Sequence, residues 1–172
     1  MLSYINWEKT RELQALPKYE NFRKWLAENG VVHPSVEYPV AFGREGQLIG
    51  MAAKSDIPPL KAFLFVPHKL IINETLVKRS SIGPLIAKHP ELYKHHYDAE
   101  YLLLGTYLMH ELLKGDASFW HPYFEIVNFS DLPMLWSDDE INELQDQILK
   151  KDVYHYREEF ELEWNLIYKT LS

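Results

Sequence analysis

The residues best suited to chemistry in this sequence are histidines, carboxylates and closely spaced glycines. The segment that starts at His110 reads HELLK, which approaches a zinc-binding helix. The second ligand of such a helix would be a histidine at position 114, where this chain has Lys114. Tyrosines and lysines surround His89, His95 and His96, so we expect them to be surface histidines. The sequence therefore predicts no metal site.

Three glycines, Gly43, Gly46 and Gly50, surround the entry to a predicted strand. Glycines at such positions indicate a tight turn or the close approach of another group to the backbone. The nucleophile-elbow, P-loop and dinucleotide-binding glycine patterns are all missing from the sequence. The carboxylate pairs of the C-terminal half have the spacing of solvent-exposed helical faces, so we predict no acid/base pair.

The composition limits the classes of protein to which this chain can belong. Its 172 residues are 47% hydrophobic and 14% aromatic, enough for a packed core. It has no cysteine, which excludes disulfides and thiolate chemistry. The N-terminal residues show no secretory signal, and no run approaches the roughly 18 apolar residues of a membrane span. We expect an intracellular protein of the cytoplasm or nucleus.

The net charge of −7 is spread unevenly. Residues 1–86 hold 11 Lys/Arg and 8 Asp/Glu, a net of +3, whereas residues 87–172 hold 7 and 17, a net of −10. An acidic half argues against nucleic-acid binding, which needs a basic surface. It is typical of either a solvated helical face or a surface for a basic partner.

The residue patterns predict an α+β fold, with short strands in the first half and helices in the second. A helix is expected over residues 19–29, with Gly30 as its stop. Strands are expected at Val36–Phe42, at Leu48–Ala53 and over residues 62–66 and 70–72. Prolines in the connection at 56–59 exclude a helix there.

Three helices are expected in the second half. The first, over residues 98–114, is apolar nearly all round and should be buried on most sides, with Gly115 ending it. A capping box that starts at Ser137 predicts a helix to about residue 149. The third, from Asp152 to Leu171, has apolar residues three or four apart and must bury that stripe in this chain or in a partner.

Several segments in order resemble SET-domain methyltransferases of the Rubisco large-subunit lysine methyltransferase and actin-histidine methyltransferase type. They are FRKWLAENG at 22–30, LIGMAA at 48–53 followed by DI, FLFVP at 63–67, GPL at 83–85 and SFWHPY at 118–123. The resemblance covers about residues 20–171. It implies a partial SET domain with a mainly helical inserted subdomain. We divide the chain into an N-terminal extension (1–18), an N-terminal SET portion (19–97) and a helical portion (98–172).

The resemblance implies a place for S-adenosylmethionine at the glycine turn. In this family the turn offers main-chain groups to the cofactor, which assigns that role to Gln47, Leu48, Ile49 and Gly50. This chain departs from the family at position 47, where the family has a glutamate and this chain has Gln47. The glutamate of this chain is Glu45, two residues earlier. A turn between strands that binds no ligand remains the alternative reading.

The resemblance also implies groups that this sequence lacks. The second half of the SET domain supplies an asparagine-histidine pair and a late catalytic tyrosine, and no Asn-His dipeptide occurs here. We therefore expect no catalytic residue in the chain, and S-adenosylmethionine as cofactor only if a second half completes the fold. The rings of the SFWHPY segment are expected to pack the helical portion on the strands.

Three functions stay open at this point. The chain is a non-catalytic interaction or assembly subunit, a fragment of an S-adenosylmethionine-dependent protein-lysine or histidine N-methyltransferase, or one half of a split enzyme. We expect a protein partner that covers the helix stripe from Asp152 to Leu171 or the strand edges.

Overall fold

The computed structural model describes residues 4–94, 99–127 and 132–171, and within them the fold is α+β as predicted. His95 and His96 lie outside the described residues. The strands are Val36–Phe42 (β1) and Leu48–Ala53 (β2). The α-helices are Trp7–Gln14 (α1), Pro17–Glu28 (α2), Glu74–Arg79 (α3), Gly83–Lys88 (α4), Glu91–Lys94 (α5), Ala99–Leu113 (α6), His121–Phe124 (α7), Asp138–Glu143 (α8) and Gln147–Leu171 (α9). Short 3-10 turns lie at His68–Leu70, Gly115–Ala117 and Pro133–Leu135.

The chain divides into two compact units, each discontinuous in sequence. Unit 1 comprises Met1–Ile71 and Phe119–Ile126, and unit 2 comprises Ile72–Ser118 and Val127–Ser172. The three predicted domains, in contrast, are continuous segments, and their boundaries at residues 18 and 97 stay a prediction.

The sheet of unit 1 is a single antiparallel pair, β1 with β2, which confirms two of the predicted strands. Val40 pairs with Gly50 and Phe42 with Leu48, and the register shifts between Glu37 and Val40. The shift surrounds a cis peptide bond between Tyr38 and Pro39. Val40 and Ala41 point to opposite faces of β1, and both are fully buried, so this strand lies in the core of the unit.

The strands predicted over residues 62–66 and 70–72 are wrong. Phe65 makes one isolated bridge, in which its backbone N–H donates to Val32 at 2.8 Å and its carbonyl accepts from Val32 at 3.0 Å. Residues 68–70 form a 3-10 turn instead of a strand. Pro58, Pro59 and Pro67 lack N–H donors, and a strand needs a continuous neighbour to pair with.

Helix α2 starts earlier than predicted because Pro17 occupies its first turn, where a missing N–H costs nothing. It ends as expected at Gly30, whose φ of +85° is accessible to glycine at little cost. The capping box at Ser137 is also confirmed, with Glu140 donating its N–H to the Ser137 hydroxyl.

The helix predicted from Ser137 to about residue 149 is shorter in the structure, so its predicted end is wrong. Helix α8 stops at Glu143, since Leu144 is extended, and α9 starts at Gln147 rather than at Asp152. The Asp146 carboxylate accepts from the N–H groups of Ile148 (2.8 Å) and Leu149 (3.1 Å), which satisfies donors at the start of α9.

Helix α6 is buried along one side only. Leu102, Leu103 and Tyr107 are buried, but Leu112 is 42% and Leu113 88% exposed. The prediction that this helix is covered on most sides is therefore wrong at its C-terminal end.

Candidate functional site

The candidate site is the turn that joins β1 to β2. Gly43 has a φ of +88° and Gly46 a φ of +68°, and the Gly46 N–H donates to the Gly43 carbonyl at 3.1 Å. Both values lie in the left-handed region that side chains with a Cβ rarely adopt. The glycines are therefore required by the shape of the turn itself.

Residues near the start of the chain hold this turn in place through hydrogen bonds and packing. The Gly43 N–H donates to the Tyr4 carbonyl at 2.9 Å, and the Asn6 amide donates to the Arg44 carbonyl at 3.0 Å. A Cβ built on Gly46 would lie 2.8 Å from the side chain of Lys9, so α1 packs directly on the turn. The N-terminal residues, predicted to be an extension, thus position the candidate site.

Thr10 is the buried centre of this arrangement, at 2% exposure. Its hydroxyl donates to the Asn6 carbonyl at 2.8 Å and accepts from the Ala41 N–H at 3.0 Å. The backbone N–H of Asn6 in turn donates to the Ala41 carbonyl at 2.9 Å. The Thr10 hydroxyl therefore links α1 to the C-terminal end of β1. Sequence reasoning missed this threonine, and the only signal for α1 was the Asn6 N-cap followed by Glu8.

The four residues assigned to the cofactor lie at the start of β2. Gln47, Leu48 and Ile49 are exposed, and a Cβ on Gly43 would lie 2.8 Å from the Gln47 amide oxygen. A Cβ on Gly50 would lie 3.0 Å from the ring of Phe42. The space beside both glycines is thus already approached by side chains of this chain.

A cleft of about 540 Å³ lies beside the turn. It is lined by Tyr4, Asn6, Trp7, Glu8 and Arg44. These residues provide an amide, a carboxylate, a guanidinium and two rings, which are groups suited to a polar ligand.

The SFWHPY segment places its rings in unit 1. The Trp120 ring is 4% exposed, and its centroid lies 5.7 Å from that of Trp25 in α2. The ring centroid of Phe119 lies 5.4 Å from that of Trp25. Tyr123 lies 6.4 Å from Trp120. The rings of Phe119 and Trp120 pack on α2 of unit 1, a contact that we did not expect from the sequence.

Burial also determines the protonation of Tyr38 on β1. It raises the pKa of Tyr38 to about 12, with smaller contributions from Tyr19 and Tyr123. The phenol is therefore protonated at neutral pH and does not serve as a base.

The HELLK segment of unit 2 forms a structural network. His110 lies 2.9 Å from the Ser81 hydroxyl, and Glu111, at 5% exposure, accepts from Ser118 at 2.7 Å and from Lys114. Burial alone would raise the pKa of Glu111, but the bonds from Lys114 and Ser118 outweigh it and hold this pKa below its usual value. The Glu111 carboxylate thus stays ionised and holds Ser118, the first residue of the SFWHPY segment, by a hydrogen bond.

Two further searches cover only the described parts of the chain. Within residues 4–94, 99–127 and 132–171, no three acidic or histidine side chains converge in a way that would hold a metal ion. No helix in those ranges is both long and apolar enough to cross a membrane.

Comparison with known proteins gives relatives in both sequence and fold. No protein-family model matches the chain. Actin-histidine N-methyltransferases of Canis lupus familiaris and of Homo sapiens are each 29% identical to it over 155 residues, which is 90% of this chain and 25% of each relative. The chain therefore spans about a quarter of the length of the curated relatives that it matches.

Solved structures give the same result. A structure of Rubisco LSMT bound to sinefungin and monomethyllysine matches 91% of this chain with a TM-score of 0.73 and 28% identity. The SET domain of LSMT bound to MeLysine and AdoHcy matches with a TM-score of 0.72. The match covers 34% of each of those chains. These findings confirm the resemblance and the partial SET fold predicted from the sequence.

Proposed function

Because the chain resembles SET-domain methyltransferases in sequence and fold, we propose that it forms the N-terminal half of such a domain and acts as a non-catalytic interaction or assembly subunit. The observation that carries the proposal is chemical. These 172 residues contain no Asn-His dipeptide, so the pair that orients the cofactor and the methyl acceptor in this family is missing from them.

The geometry of the turn supports the proposal. Its backbone between Gln47 and Gly50 fits the main-chain part of a site for S-adenosylmethionine, because the first three of these residues are exposed. The charged part does not fit, since the position of the family's glutamate is a glutamine and Glu45 lies two residues away. Phe42 approaches the space beside Gly50. We therefore assign the turn a structural role in the isolated chain.

The exposed apolar surface supports an interaction role. In unit 1, β2 presents Leu48, Ile49 and Met51 at 63%, 46% and 46% exposure, and Phe65 is 60% exposed. Large apolar side chains that are neighbours on one strand typically mark a surface that another polypeptide covers.

A second candidate function is a fragment or split half of an S-adenosylmethionine-dependent protein-lysine or histidine N-methyltransferase. The observation that favours it is the extent of the likeness, because the fold match covers 91% of the chain. In that case the cofactor would bind only when a second half supplies the missing groups.

Calorimetry and a methyl-transfer assay test these proposals. We expect the purified 172-residue chain to show no tight, stoichiometric binding of S-adenosylmethionine and no methyl transfer. Gln47→Glu is the matched variant, since it restores the family's residue at that position; a structural turn predicts that it does not create binding. Tight binding by either protein contradicts the proposal.

The same assay separates the two functions. A purified second SET half that contains the Asn-His pair and the late tyrosine is added to the chain. Methyl transfer that appears only in the mixture supports the split enzyme, whereas a complex without methyl transfer supports the non-catalytic subunit.

A further inference from the structure

A cavity of about 250 Å³ lies within unit 1, and most of its walls are apolar. The walls include Phe22 and Leu26 of α2, Met51 of β2, and Leu64 and Val66 of the segment that follows β2. Met51, Leu64 and Val66 are 46%, 37% and 38% exposed. The cavity therefore reaches the surface on that side, where a small molecule can enter.

One basic side chain, that of Arg23 on α2, also lines this cavity. Its Nη2 donates to the Gln14 carbonyl at 2.8 Å, which positions the guanidinium. Its Nη1 is buried and has no hydrogen-bond partner in the described part of the chain. The Gln14 amide donates to the Glu37 carboxylate at 2.8 Å, so Glu37 joins this network without satisfying Nη1. A buried donor of a charged group that lacks an acceptor is unfavourable, because it has lost its water.

The charge of the walls favours an anionic group in the occupant. Of the ten described residues that line the cavity, Arg23, His33 and Tyr38 carry polar groups and none is acidic. The Tyr38 phenol is a donor at neutral pH, since burial raises its pKa to about 12. The walls thus combine one fixed positive charge with a neutral donor and apolar surface.

The volume of the cavity limits the size of its occupant. A cavity of about 150 Å³ with comparable apolar walls accommodates a benzene molecule. By the same measure, a cavity of about 250 Å³ has room for a ring with a few added carbons or for a chain of about eight carbons. A helix, about 10–12 Å across with its side chains, is too wide to enter.

From these observations we propose that the cavity binds a small monocarboxylic acid with an apolar body of about eight carbons, whose carboxylate accepts from Nη1 of Arg23 while its body contacts the apolar walls. The inference goes beyond the proposed function, because it needs neither the glycine turn nor a protein partner. A phosphate is a poorer occupant, since most of its oxygens would face apolar side chains without a donor.

Calorimetric titration of the full 172-residue chain tests the proposal with three probes of equal length: octanoate, 1-octanol and octylamine. We expect octanoate to saturate at one molecule per chain and to bind at least about tenfold more tightly than octanol, because only the carboxylate satisfies the guanidinium. Octylamine should bind most weakly, since its charge is repelled. Octanoate that does not saturate, or that binds no more tightly than octanol, overturns the proposal.

Arg23→Met tests the residue that recognises the carboxylate. Methionine keeps an unbranched side chain but removes the charge, so the affinity for octanoate should fall at least about tenfold, to that for octanol. Octanol is the internal control, because its retained binding shows that the cavity is still formed. Arg11→Met, on the exposed face of α1, should change neither affinity. Unchanged octanoate binding in Arg23→Met overturns the assignment.

A pair of tryptophan variants locates the site. Val66→Trp places a ring in the cavity from its open side and should weaken octanoate and octanol alike by at least about tenfold. Val32→Trp, at a position that is 54% exposed and does not line the cavity, is the matched control and should leave both affinities unchanged. Equal effects of the two variants would place the site elsewhere and overturn the proposal.

The outcome is independent of the proposed function. Tight binding of S-adenosylmethionine or methyl transfer by the chain alone would contradict the non-catalytic role and leave the octanoate result unaffected. Failure of octanoate to bind in a chain without activity overturns only the carboxylate site.

Discussion

The turn between β1 and β2 and the long helix α9 are held in opposite ways. Backbone bonds from Tyr4 and a side-chain bond from Asn6 fix the turn, and the buried Thr10 hydroxyl fixes the strand that leads into it. Helix α9 is packed at Val153 and Ile167 and leaves Phe160 between them open.

The turn is thus distinguished by the hydrogen bonds that fix its shape, and the middle of α9 by its exposed aromatic residues. The hydrogen bonds that hold the turn are internal to unit 1, so we expect its backbone conformation not to depend on a ligand. In the middle of α9 the rings of Tyr156 and Phe160 are more than half exposed. Substitutions should therefore affect stability strongly around the turn and in the aromatic cluster of unit 1, and only weakly at these exposed rings.

The largest loss of stability in unit 1 is expected from Trp120→Ala. This ring is 4% exposed and touches Trp25, Phe119 and Tyr123, so its removal leaves a large cavity. We expect the free energy of unfolding to fall by about 3–5 kcal/mol, measured by urea denaturation. Phe119→Ala, half exposed, is the control and should cost about 1–2 kcal/mol. Equal losses would show that burial does not distinguish the two rings.

Thr10→Val tests the hydroxyl that supports the turn. Valine has nearly the same shape but leaves the buried N–H of Ala41 without its acceptor. The expected loss is about 2 kcal/mol, with faster hydrogen exchange at Ala41. Thr170→Val removes a hydroxyl that bonds only to the Leu166 carbonyl on α9 and should change stability by less than about 0.5 kcal/mol. Slow exchange retained at Ala41 would contradict this reading.

A pair of glycine substitutions tests whether the turn is fixed by its backbone. Gly46→Ala meets both a positive φ and the side chain of Lys9, so it should destabilise the chain by about 1–2 kcal/mol. At Gly105 in α6 an added Cβ would have no atom within 4 Å beyond the helix backbone itself, so Gly105→Ala should stabilise the chain by about 0.5–1 kcal/mol. Thermal melts of both variants give the sign. A neutral Gly46→Ala would mean that the turn adapts.

Glu111 gives a pH-dependent test in unit 2. Its pKa is lowered in the folded state, so its contribution to stability is full above the ordinary glutamate pKa of 4.5 and is lost as the pH falls through the folded pKa. Glu111→Gln should cost about 1–2 kcal/mol at pH 7 and flatten the acid side of the stability curve. Glu100→Gln, on the exposed first turn of α6, is the matched control. An unchanged acid limb in Glu111→Gln would refute the role of this carboxylate.

The smallest effect on stability in this comparison is expected in the exposed middle of α9. Phe160→Ala should lower the free energy of unfolding by no more than about 1 kcal/mol, because the ring is 56% exposed and little of its surface is buried. Val153→Ala, on the same stripe but buried, should cost about 1–2 kcal/mol. Similar losses at both positions would remove the distinction between the ends and the middle of α9.

The sequence predicted the elements whose signals are local. β1 and β2 followed from apolar runs on either side of Gly43 and Gly46, and the Ser137 capping box followed from residue order alone. The weaker apolar runs over residues 62–66 and 70–72 resembled strands in the same way. They differ from true strands only in lacking a neighbour, and no local pattern shows that.

The hydrogen bonds that hold the candidate site in place could not be predicted from the sequence. Asn6 bonds to Arg44 and Thr10 to Ala41 across more than thirty residues, and α1 has too few apolar residues to show a periodic face. The break between α8 and α9 was visible in principle, because Asp146 precedes the helix in the position of an N-cap.

The placement of Phe119–Ile126 in unit 1 has a consequence for synthesis of the chain. The residues of α2 that Trp120 covers leave the ribosome first, and the whole stretch Ile72–Ser118 follows before that cover is made. At about 5–20 residues per second, the indole of Trp25 waits several seconds for its neighbour. During that interval the aromatic rings of α2 in the nascent chain lack the cover that Trp120 later provides.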